Sequence, residues 1–324
     1  MSIDERAVLR AGLATLVEAP EVELDRAAGD VLAVDARWDV CAPVEAVSGR
    51  EAIVDAVIRP LRAALTGARR RDEIFIGGQD RFGEGGRWCA AVTHVVGTFD
   101  APLWGVAPSG RLVFLRLGEF HRLDPDGRSM HARLIFDLPD LMRQAGRRPF
   151  EAGLGTEMLF PGPATHDGVC PGHGDGAASL ALVERMLGDL HEYDPRTAAS
   201  AGQTGADGAW ADDLLWYGPG GIGSTYRWDG FVADHRAAFL SAFPDRKGGN
   251  HYCRIGDGAY AAVSGWPSMT MTHRGPYLGV PATNRALTLR VMDFYRCADG
   301  RIAENWVLLD YVDLFRQMGR DILA

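Results

Sequence analysis

One pattern occurs twice in this sequence, and the repeat limits the possible folds more than any other feature. Residues 275–319 repeat the pattern of residues 101–146. Each copy has Pro-x-x-Gly-Val near its start and Asp-x-x-Asp-Leu-x-Arg-Gln-x-Gly at its end. Between these motifs, residues 290–296 match residues 116–122 without a gap. A unit present twice in one chain predicts two similar domains.

The segment between the copies differs in composition from both of them. Residues 147–176 are rich in Gly and Pro, which is typical of a linker between domains. We therefore predict a first domain at 1–146, a linker at 147–176 and a second domain at 177–324. A chain of 324 residues is long enough for two hydrophobic cores of ordinary size.

The order of helical and strand-like patterns predicts the fold class. In the first copy, Leu9, Leu13 and Leu16 share one helical face, and Ser48-x-x-Glu51 has the form of a capping box before a second helix. From residue 73 onward the pattern changes to short strand-like segments separated by turns. Helices followed by a meander of strands predict an α+β domain with helices packed on a curved antiparallel sheet.

Charge and cysteine usage exclude several function classes. The formal net charge of −9 argues against a phosphate-binding surface, so we expect no nucleic-acid partner. No apolar run approaches the roughly 20 residues of a membrane span, so we expect no membrane partner and a cytoplasmic location. Five scattered cysteines do not suggest a disulfide framework. His166, Cys170 and His173 have no fourth ligand at zinc-type spacing, and we expect a surface linker there rather than a metal site.

The second copy contains carboxylates that could catalyse proton transfer. A predicted hairpin has strands at 287–295 and 301–309, and its register would place Asp293 and Glu304 close to each other as cross-strand neighbours. Asp310 follows at the end of the second strand. Burial and mutual repulsion would raise the pKa of such carboxylates toward neutrality, as a general base requires. The alternative is that these carboxylates face solvent.

Further residues of the second copy could complete this site. His273 could donate a hydrogen bond or shuttle a proton. Arg290 could bind an anionic group of a substrate or pair with a carboxylate. We expect Asp310 at the substrate site as well, and a pocket wall formed by Tyr226, Trp266, Phe294 and Trp306.

The first copy has different residues at the corresponding positions. Glu119 stands opposite Asp293 in the repeat, His131 opposite Glu304, and Arg133 opposite Trp306. With Asp137, the counterpart of Asp310, these residues form either a second site of another kind or the relic of a pocket now used for packing.

Three motifs of the second copy resemble the SnoaL-like polyketide cyclases, also called ester cyclases, of the nuclear transport factor 2-like superfamily. They are residues 272–285, residues 293–306, and Asp310 with the Arg-Gln-x-Gly ending at 316–319. The resemblance implies two tandem cone-shaped α+β barrels, cofactor-free ring closure by intramolecular aldol chemistry, and an Asp as acid and base. Carried over to this sequence, the resemblance implies Asp293 as this acid and base, with Glu304 and His273 beside it. Superfamily sheets commonly dimerise, which implies an internal pseudo-dimer and allows a homodimer.

Two function classes remain open at this point. The first is a cofactor-independent enzyme, a cyclase or isomerase, acting on a carbonyl-containing apolar small molecule. The second is a non-catalytic protein that binds a small molecule or supports assembly. A hydrolase is a weaker third alternative, because the sequence has no Gly-x-Ser-x-Gly motif.

Overall fold

The computed structural model describes residues 4–150, 153–157, 160–194 and 197–324. Its two halves each contain a six-stranded sheet and a set of helices. The strands of the first sheet are β1 (Leu32–Val40), β2 (Ala46–Ser48), β3 (Leu65–Asp80), β4 (Gly86–Phe99), β5 (Leu112–Leu123) and β6 (Ser129–Phe136). Those of the second are β7 (Trp210–Tyr217), β8 (Ser224–Tyr226), β9 (Cys253–Asp257), β10 (Tyr260–Thr272), β11 (Ala286–Ala298) and β12 (Arg301–Leu309).

Most helices of the first half have counterparts in the second half. The first half has α1 (Glu5–Glu18), a 3-10 turn (Glu21–Glu23), α2 (Leu24–Val31), α3 (Arg50–Ile53), α4 (Arg59–Ala64) and α5 (Leu138–Gln144). The second half has α6 (Gly176–His191), α7 (Arg227–Phe231), α8 (Ala237–Ala242) and α9 (Tyr311–Gln317). The helices α1, α3, α4 and α5 of the first half have counterparts in the second half, whereas α2 has none among the described residues. A π-helical turn joins α3 to α4 at Val54–Ile58, and another joins α7 to α8 at Val232–Arg236. No helix in the described ranges is both long and apolar enough to cross a membrane.

The two sheets have the same strand order. The first is β2-β1-β6-β5-β4-β3 and the second is β8-β7-β12-β11-β10-β9. The predicted α+β class and the two tandem units are therefore confirmed. The sheets are mixed rather than purely antiparallel, because β1 pairs parallel with β6 and β7 pairs parallel with β12. In the first half, β3 to β6 form an antiparallel meander, and β1, which precedes α3 and α4 in the chain, runs in the same direction as β6. In the second half, β7 runs in the same direction as β12.

Side-chain caps fix where the long helices begin. The Asp4 carboxylate accepts a hydrogen bond from the backbone N–H of Arg6 at 3.0 Å and so caps α1. Asp175 caps α6 in the same way, accepting from the N–H groups of Ala177 and Ala178. Each helix then packs an apolar face on its sheet, as in α1, where the predicted face is buried.

The halves pack through the sheet faces that point away from the helices. The rings of Phe120 and Phe294 lie 5.4 Å apart across this contact. Gly118 leaves room for Leu308, because a Cβ at this glycine would lie only 2.8 Å from the nearest methyl carbon of Leu308. Phe294, which we predicted in a pocket wall, therefore belongs to the contact between the halves.

Asp310 connects this contact to a helix. Its carboxylate caps α9 by accepting from the N–H of Asp313 at 3.1 Å, and it accepts from the N–H of Ala42 in the first half at 3.1 Å. Arg290 donates to the same carboxylate at 2.9 Å and to Glu45 of the first half at 2.9 Å. Burial raises the pKa of Asp310 to about 6, even though Arg290 acts against the shift.

Asp137 makes the equivalent contacts in the opposite direction. It caps α5 through the N–H of Asp140 at 3.1 Å and accepts from the N–H of Gly220 in the second half at 2.9 Å. Arg116 lies 3.3 Å from the Asp137 carboxylate and corresponds to Arg290, which lies beside Asp310. Each half thus contributes the same surface to the contact, which is the rule for a two-fold symmetric interface.

The described part of the linker packs against both halves. Phe75 of the first half donates its N–H to the carbonyl of Gly168, and Thr156 pairs with Ser224 of the second half. The linker is therefore part of the folded structure. The domain bounds at 146 and 177 stay a prediction.

Replacing Asp310 with Ala should destabilise the protein by about 2–4 kcal/mol. The change removes a helix cap, leaves the Ala42 N–H without its acceptor and takes one of two carboxylates from Arg290. Urea denaturation would measure the loss. Asp35→Ala is the matched control, because Asp35 is exposed on β1 and the substitution should change stability by less than about 0.5 kcal/mol. Equal stability of the two variants would contradict the role of Asp310.

Candidate active site

The second half encloses a cavity between its helices and the sheet. Its volume is about 110 Å³, and it lies between α6, the α7–α8 region and the inner face of β11 and β12. The apolar wall includes Trp210, Trp216, Phe231, Phe239, Val291 and Val307. The polar groups at its surface include Asp293, Tyr295, Asn305, His235, Arg236 and Arg246. An apolar cavity with a few polar groups is typical of a small-molecule site.

The register of β11 and β12 determines which side chains reach this cavity. Asp293 pairs with Val307, so both point toward the helices, whereas Glu304 pairs with Arg296 on the opposite face. The prediction that Asp293 and Glu304 are cross-strand neighbours is therefore wrong. The register shifts between Arg296 and Cys297, where β12 has one extra residue near the turn. Because side chains alternate along a strand, a shift of one residue exchanges the two faces.

Glu304 and Trp306 bind the linker instead of lining the cavity. The Glu304 carboxylate accepts from the Tyr217 hydroxyl at 3.1 Å and from the N–H of Ala164 at 3.2 Å, and it pairs with Arg296. The indole N–H of Trp306 donates to a linker carbonyl, that of Pro161, at 2.7 Å. Hydrogen bonds and the ion pair thus occupy the Glu304 carboxylate, and they indicate a structural role for this residue.

The other predicted residues of the second copy also lie outside the cavity. His273 follows β10, and its Nδ1 lies 3.1 Å from the Thr283 hydroxyl. His273 is not among the residues that line the cavity. Tyr226 is 57% exposed, and Trp266 packs its ring 4.8 Å from the guanidinium carbon of Arg290. Arg290 and Asp310 belong to the contact between the halves.

Asp293 is the one predicted site residue that faces the cavity. Asp293 is half-buried at the cavity, and the removal of its carboxyl group from water raises its pKa to about 7. Hydrogen bonds from the side chains of Asn305 and Tyr295 act in the opposite direction, but they are weaker. A carboxyl group with this pKa exists in both protonation states near neutral pH, so it can accept a proton and return it.

His235 faces the same cavity, and the sequence reasoning missed it as a site residue. Its imidazole stacks on Trp216, with ring centroids 4.6 Å apart and an interplanar angle of 14°. Burial, with smaller contributions from the neighbouring Arg236 and Arg246, lowers the pKa of His235 to about 3, so the ring is neutral at pH 7. Its Nδ1 has no hydrogen-bond partner among the described residues. A polar residue within the apolar helical stripe of Phe231 and Phe239 was the signal that could have identified it.

The corresponding space in the first half is nearly filled. Arg70 lies inside it and forms an ion pair with Glu119, the counterpart of Asp293, and both side chains are 2% exposed. His121 lies 3.2 Å from the same carboxylate. Burial alone would raise the pKa of Glu119, but Arg70 and His121 outweigh it and lower the pKa to about 2. The remaining cavity is about 20 Å³, so the first half resembles a packed relic rather than a second site.

The remaining candidates of the first half do not reach this space. His131 and Arg133 lie on the outer face of β6, where His131 Nε2 is 2.7 Å from Asp39 and Arg133 donates to Glu84 at 2.7 Å. Asp137 belongs to the contact between the halves. The four predicted residues, Glu119, His131, Arg133 and Asp137, therefore do not form one site. As in the second half, a register shift near the turn between the two strands is the cause.

A difference in one edge strand explains why the space between helices and sheet is larger in the second half than in the first. In the first half β3 begins at Leu65, and its early residues carry Arg70 over the inner face of the sheet. In the second half β9 begins only at Cys253. The irregular segment before it places Arg246, Gly248 and Gly249 at the cavity surface, and none of these residues forms an ion pair with Asp293, so the space stays open.

The fold and the cavity define a class: tandem α+β units, one of which holds a potential ligand site. The family model described as SnoaL-like polyketide cyclase matches residues 201–318, which make up most of the second half of the chain. The first half repeats its motifs and its sheet order. No curated protein matches the sequence.

Several solved structures are similar to this chain at low identity. TsrD from Streptomyces laurentii is 18% identical, with 45% of this chain and 98% of that chain covered and a TM-score of 0.36. IdmH from Streptomyces antibioticus, described as a candidate polyketide cyclase, is 18% identical, with coverages of 44% and 98% and a TM-score of 0.35. An NTF2-like protein from Burkholderia xenovorans LB400 is 13% identical, with coverages of 44% and 98% and a TM-score of 0.34.

Replacing Asp293 with Asn should stabilise the protein at pH 8 and leave it nearly unchanged at pH 4. The pKa of Asp293 is about 7 in the folded state and near 3.8 when unfolded, so its contribution to stability is present below pH 3.8 and is lost as the pH rises through 7. At about 1.4 kcal/mol per pKa unit, the gain at pH 8 is up to about 4 kcal/mol. Denaturation at both pH values would measure it.

Glu304→Gln is the contrasting variant for this experiment. Glu304 is paired with Arg296, so its neutralisation leaves a buried cation without its partner and should destabilise the protein at pH 8. An Asp293→Asn effect that does not vary with pH would contradict the assignment of a raised pKa.

Proposed function

We propose that the second half is a cofactor-independent enzyme that binds an apolar carbonyl compound and removes a proton from the carbon next to its carbonyl group. The observation that carries this proposal is the Asp293 carboxyl group, with a pKa near 7, in an apolar cavity beside a neutral histidine. The match of residues 201–318 to the SnoaL-like polyketide cyclase family supports an enzyme of the cyclase or isomerase kind.

Three polar groups of the cavity, those of Asp293, Tyr295 and His235, have distinct roles in this reaction. The Asp293 carboxylate accepts the proton. Tyr295 stays protonated, because burial raises the pKa of its hydroxyl well above the usual value, and its O–H can orient the carboxylate. His235 is neutral, and an N–H at its unpaired Nδ1 can donate a hydrogen bond to the enolate oxygen, while the proton taken from carbon stays on Asp293. These roles replace those first given to Glu304 and His273.

The shape of the cavity would determine what the enolate does next. If a second carbonyl group of the same molecule lies within reach, carbon–carbon bond formation closes a ring by an aldol reaction. If none does, return of the proton from Asp293 to another carbon isomerises the substrate. In either case the apolar wall excludes water, which strengthens the hydrogen bonds to the developing charge.

The contact between the halves suggests why the chain keeps its first unit. We infer that the two halves form an internal pseudo-dimer in which the first supports the second. The reciprocal contacts of Asp137 and Asp310 favour this arrangement, and the packed interior of the first half is consistent with a structural role.

Asp293→Asn should reduce deuterium exchange at the alpha carbon of an aromatic ketone such as 2-tetralone by about 100-fold or more. General base catalysis contributes about 10²–10⁴-fold, and Asn cannot accept the proton. Exchange would be followed by NMR, with binding measured separately on the same samples. Tyr226→Phe is the matched control and should exchange at the wild-type rate, because Tyr226 lies on the surface. Binding of ketones by all variants without exchange would replace the enzyme with a binding protein.

The wild-type exchange rate should rise with pH and level off above about pH 7. The proton acceptor is the ionised form of Asp293, whose pKa is about 7, while His235 stays neutral through this range because its pKa is about 3. A rate profile from pH 5 to 9 would measure the midpoint. A rate that does not change between pH 5 and 9 would rule out Asp293 as the base.

A further inference from the structure

Two arginines form part of the cavity wall on the side of His235. Arg236 is the last residue of the π-helical turn, and its side chain is buried, with 3% of the residue exposed. Arg246 lies in the irregular segment after α8 and is half-buried. Both line the same cavity as Asp293.

The hydrogen-bond partners of these two guanidinium groups are neutral. Arg236 donates from Nε to the carbonyl of Ala198 at 2.7 Å and from Nη2 to the Ser200 hydroxyl at 2.6 Å. Arg246 donates to the carbonyl of Leu190 at 3.4 Å. Across the described ranges, no carboxylate forms a salt bridge with either arginine. Neutral oxygens satisfy N–H groups but do not neutralise a charge.

Other buried arginines of this chain are paired differently. Arg70 has Asp72 and Glu119 beside it, and Arg116 lies between Asp137 and Asp140. The two arginines of the cavity are therefore an exception to the way this protein normally buries a guanidinium group.

The surroundings offset only part of the charge of these two groups. Leu190 lies at the C-terminal end of α6, and the dipole of a helix supplies roughly half a negative charge there, against two positive charges. The ring of Tyr193 faces both groups, at 5.7 Å from Arg236 and 5.3 Å from Arg246, and contributes about 1 kcal/mol per contact. Burial and repulsion from Arg246 lower the pKa of Arg236 to about 10, so both groups are charged at neutral pH.

We propose that the cavity binds a molecule that carries a carboxylate as well as the reacting carbonyl group, and that Arg236 and Arg246 bind this carboxylate. The inference rests on the proposed function for the position of the carbonyl group, which lies at Asp293. Neither arginine forms an ion pair with Asp293, so both remain available to an anion. A planar guanidinium fits a planar carboxylate through two parallel hydrogen bonds. The leucines beside the two groups, Leu187, Leu190 and Leu240, favour an apolar carboxylic acid over a small polar anion.

Equilibrium binding of a matched pair of compounds tests the proposal. The pair is 3-benzoylpropionate, which has an apolar ring, a ketone and a carboxylate, and its methyl ester, which lacks the charge. In wild type the acid should bind about 10–100-fold more tightly than the ester, as expected for hydrogen bonds to a charged group. Equal binding of acid and ester by the wild type would overturn the proposal.

Substitutions separate the arginines from the rest of the cavity. Arg246→Met should abolish the preference for the acid and leave ester binding unchanged, and Arg246→Lys should restore part of the preference. Arg236→Met should act in the same direction, but Arg246 is the safer test, because Arg236 also binds the backbone of the segment around Ala198. Arg185→Met is the matched control, because Arg185 is exposed on α6, and it should keep the full preference. A preference that survives both Met substitutions in the cavity would overturn the proposal.

Two further measurements identify the anion and separate this proposal from the proposed function. Inorganic phosphate should not displace the acid at millimolar concentration, and displacement would assign the site to phosphate instead of carboxylate. Binding does not require chemistry, so a preference for the acid without deuterium exchange would refute the enzyme and keep the carboxylate site. Deuterium exchange in both compounds, together with equal affinity for the acid and the ester, would refute the carboxylate site and keep the enzyme.

Discussion

Asp137 and Asp310 tie the two halves together, because each caps a helix of its own half and accepts an amide hydrogen bond from the other. The sheet faces that point away from the helices pack against the other half, as Phe120 and Phe294 do, or against the linker, as Trp306 does. The residues of β11 that alternate with Asp293 are committed to this packing, as Phe294 shows. Only the face toward the helices is left to form a cavity. The position of the candidate site thus follows from the packing of the halves.

The two halves show how neighbours decide the chemistry of one position. Glu119 and Asp293 occupy the same place in the repeat, on the inner face of the sheet. A buried arginine beside Glu119 keeps its carboxylate ionised, whereas burial without a cation favours the protonated form of Asp293. The cations of the second half lie beside His235, where burial, together with these charges, keeps the imidazole neutral. Identical folds therefore give a packed ion pair in one half and a titratable cavity in the other.

The sequence predicted the repeat and the α+β class, because both depend on patterns in the order of the residues. It also named Asp293, which lines the cavity and whose catalytic role is a proposal. It did not predict the partners of Asp293. One extra residue in β12 exchanges the faces of the strand beyond it, and the stability of such a bulge depends on packing that alternation does not reveal. His235 was hidden for a related reason. It occupies a helical position at which an apolar residue would also pack well, and only the cavity beside it indicates a role for a polar side chain.

The π-helical turns at Val54–Ile58 and Val232–Arg236 occupy matching places in the two halves. A π-helical turn accommodates one more residue than an α-helical turn and is rare enough to mark a particular event in a protein's past. Its presence in both units means that the simplest history places this insertion before the duplication. The ancestral single unit then already had the widened turn, and the two descendants used it differently: the first to pack Val57, the second to bring a histidine and an arginine to one cavity.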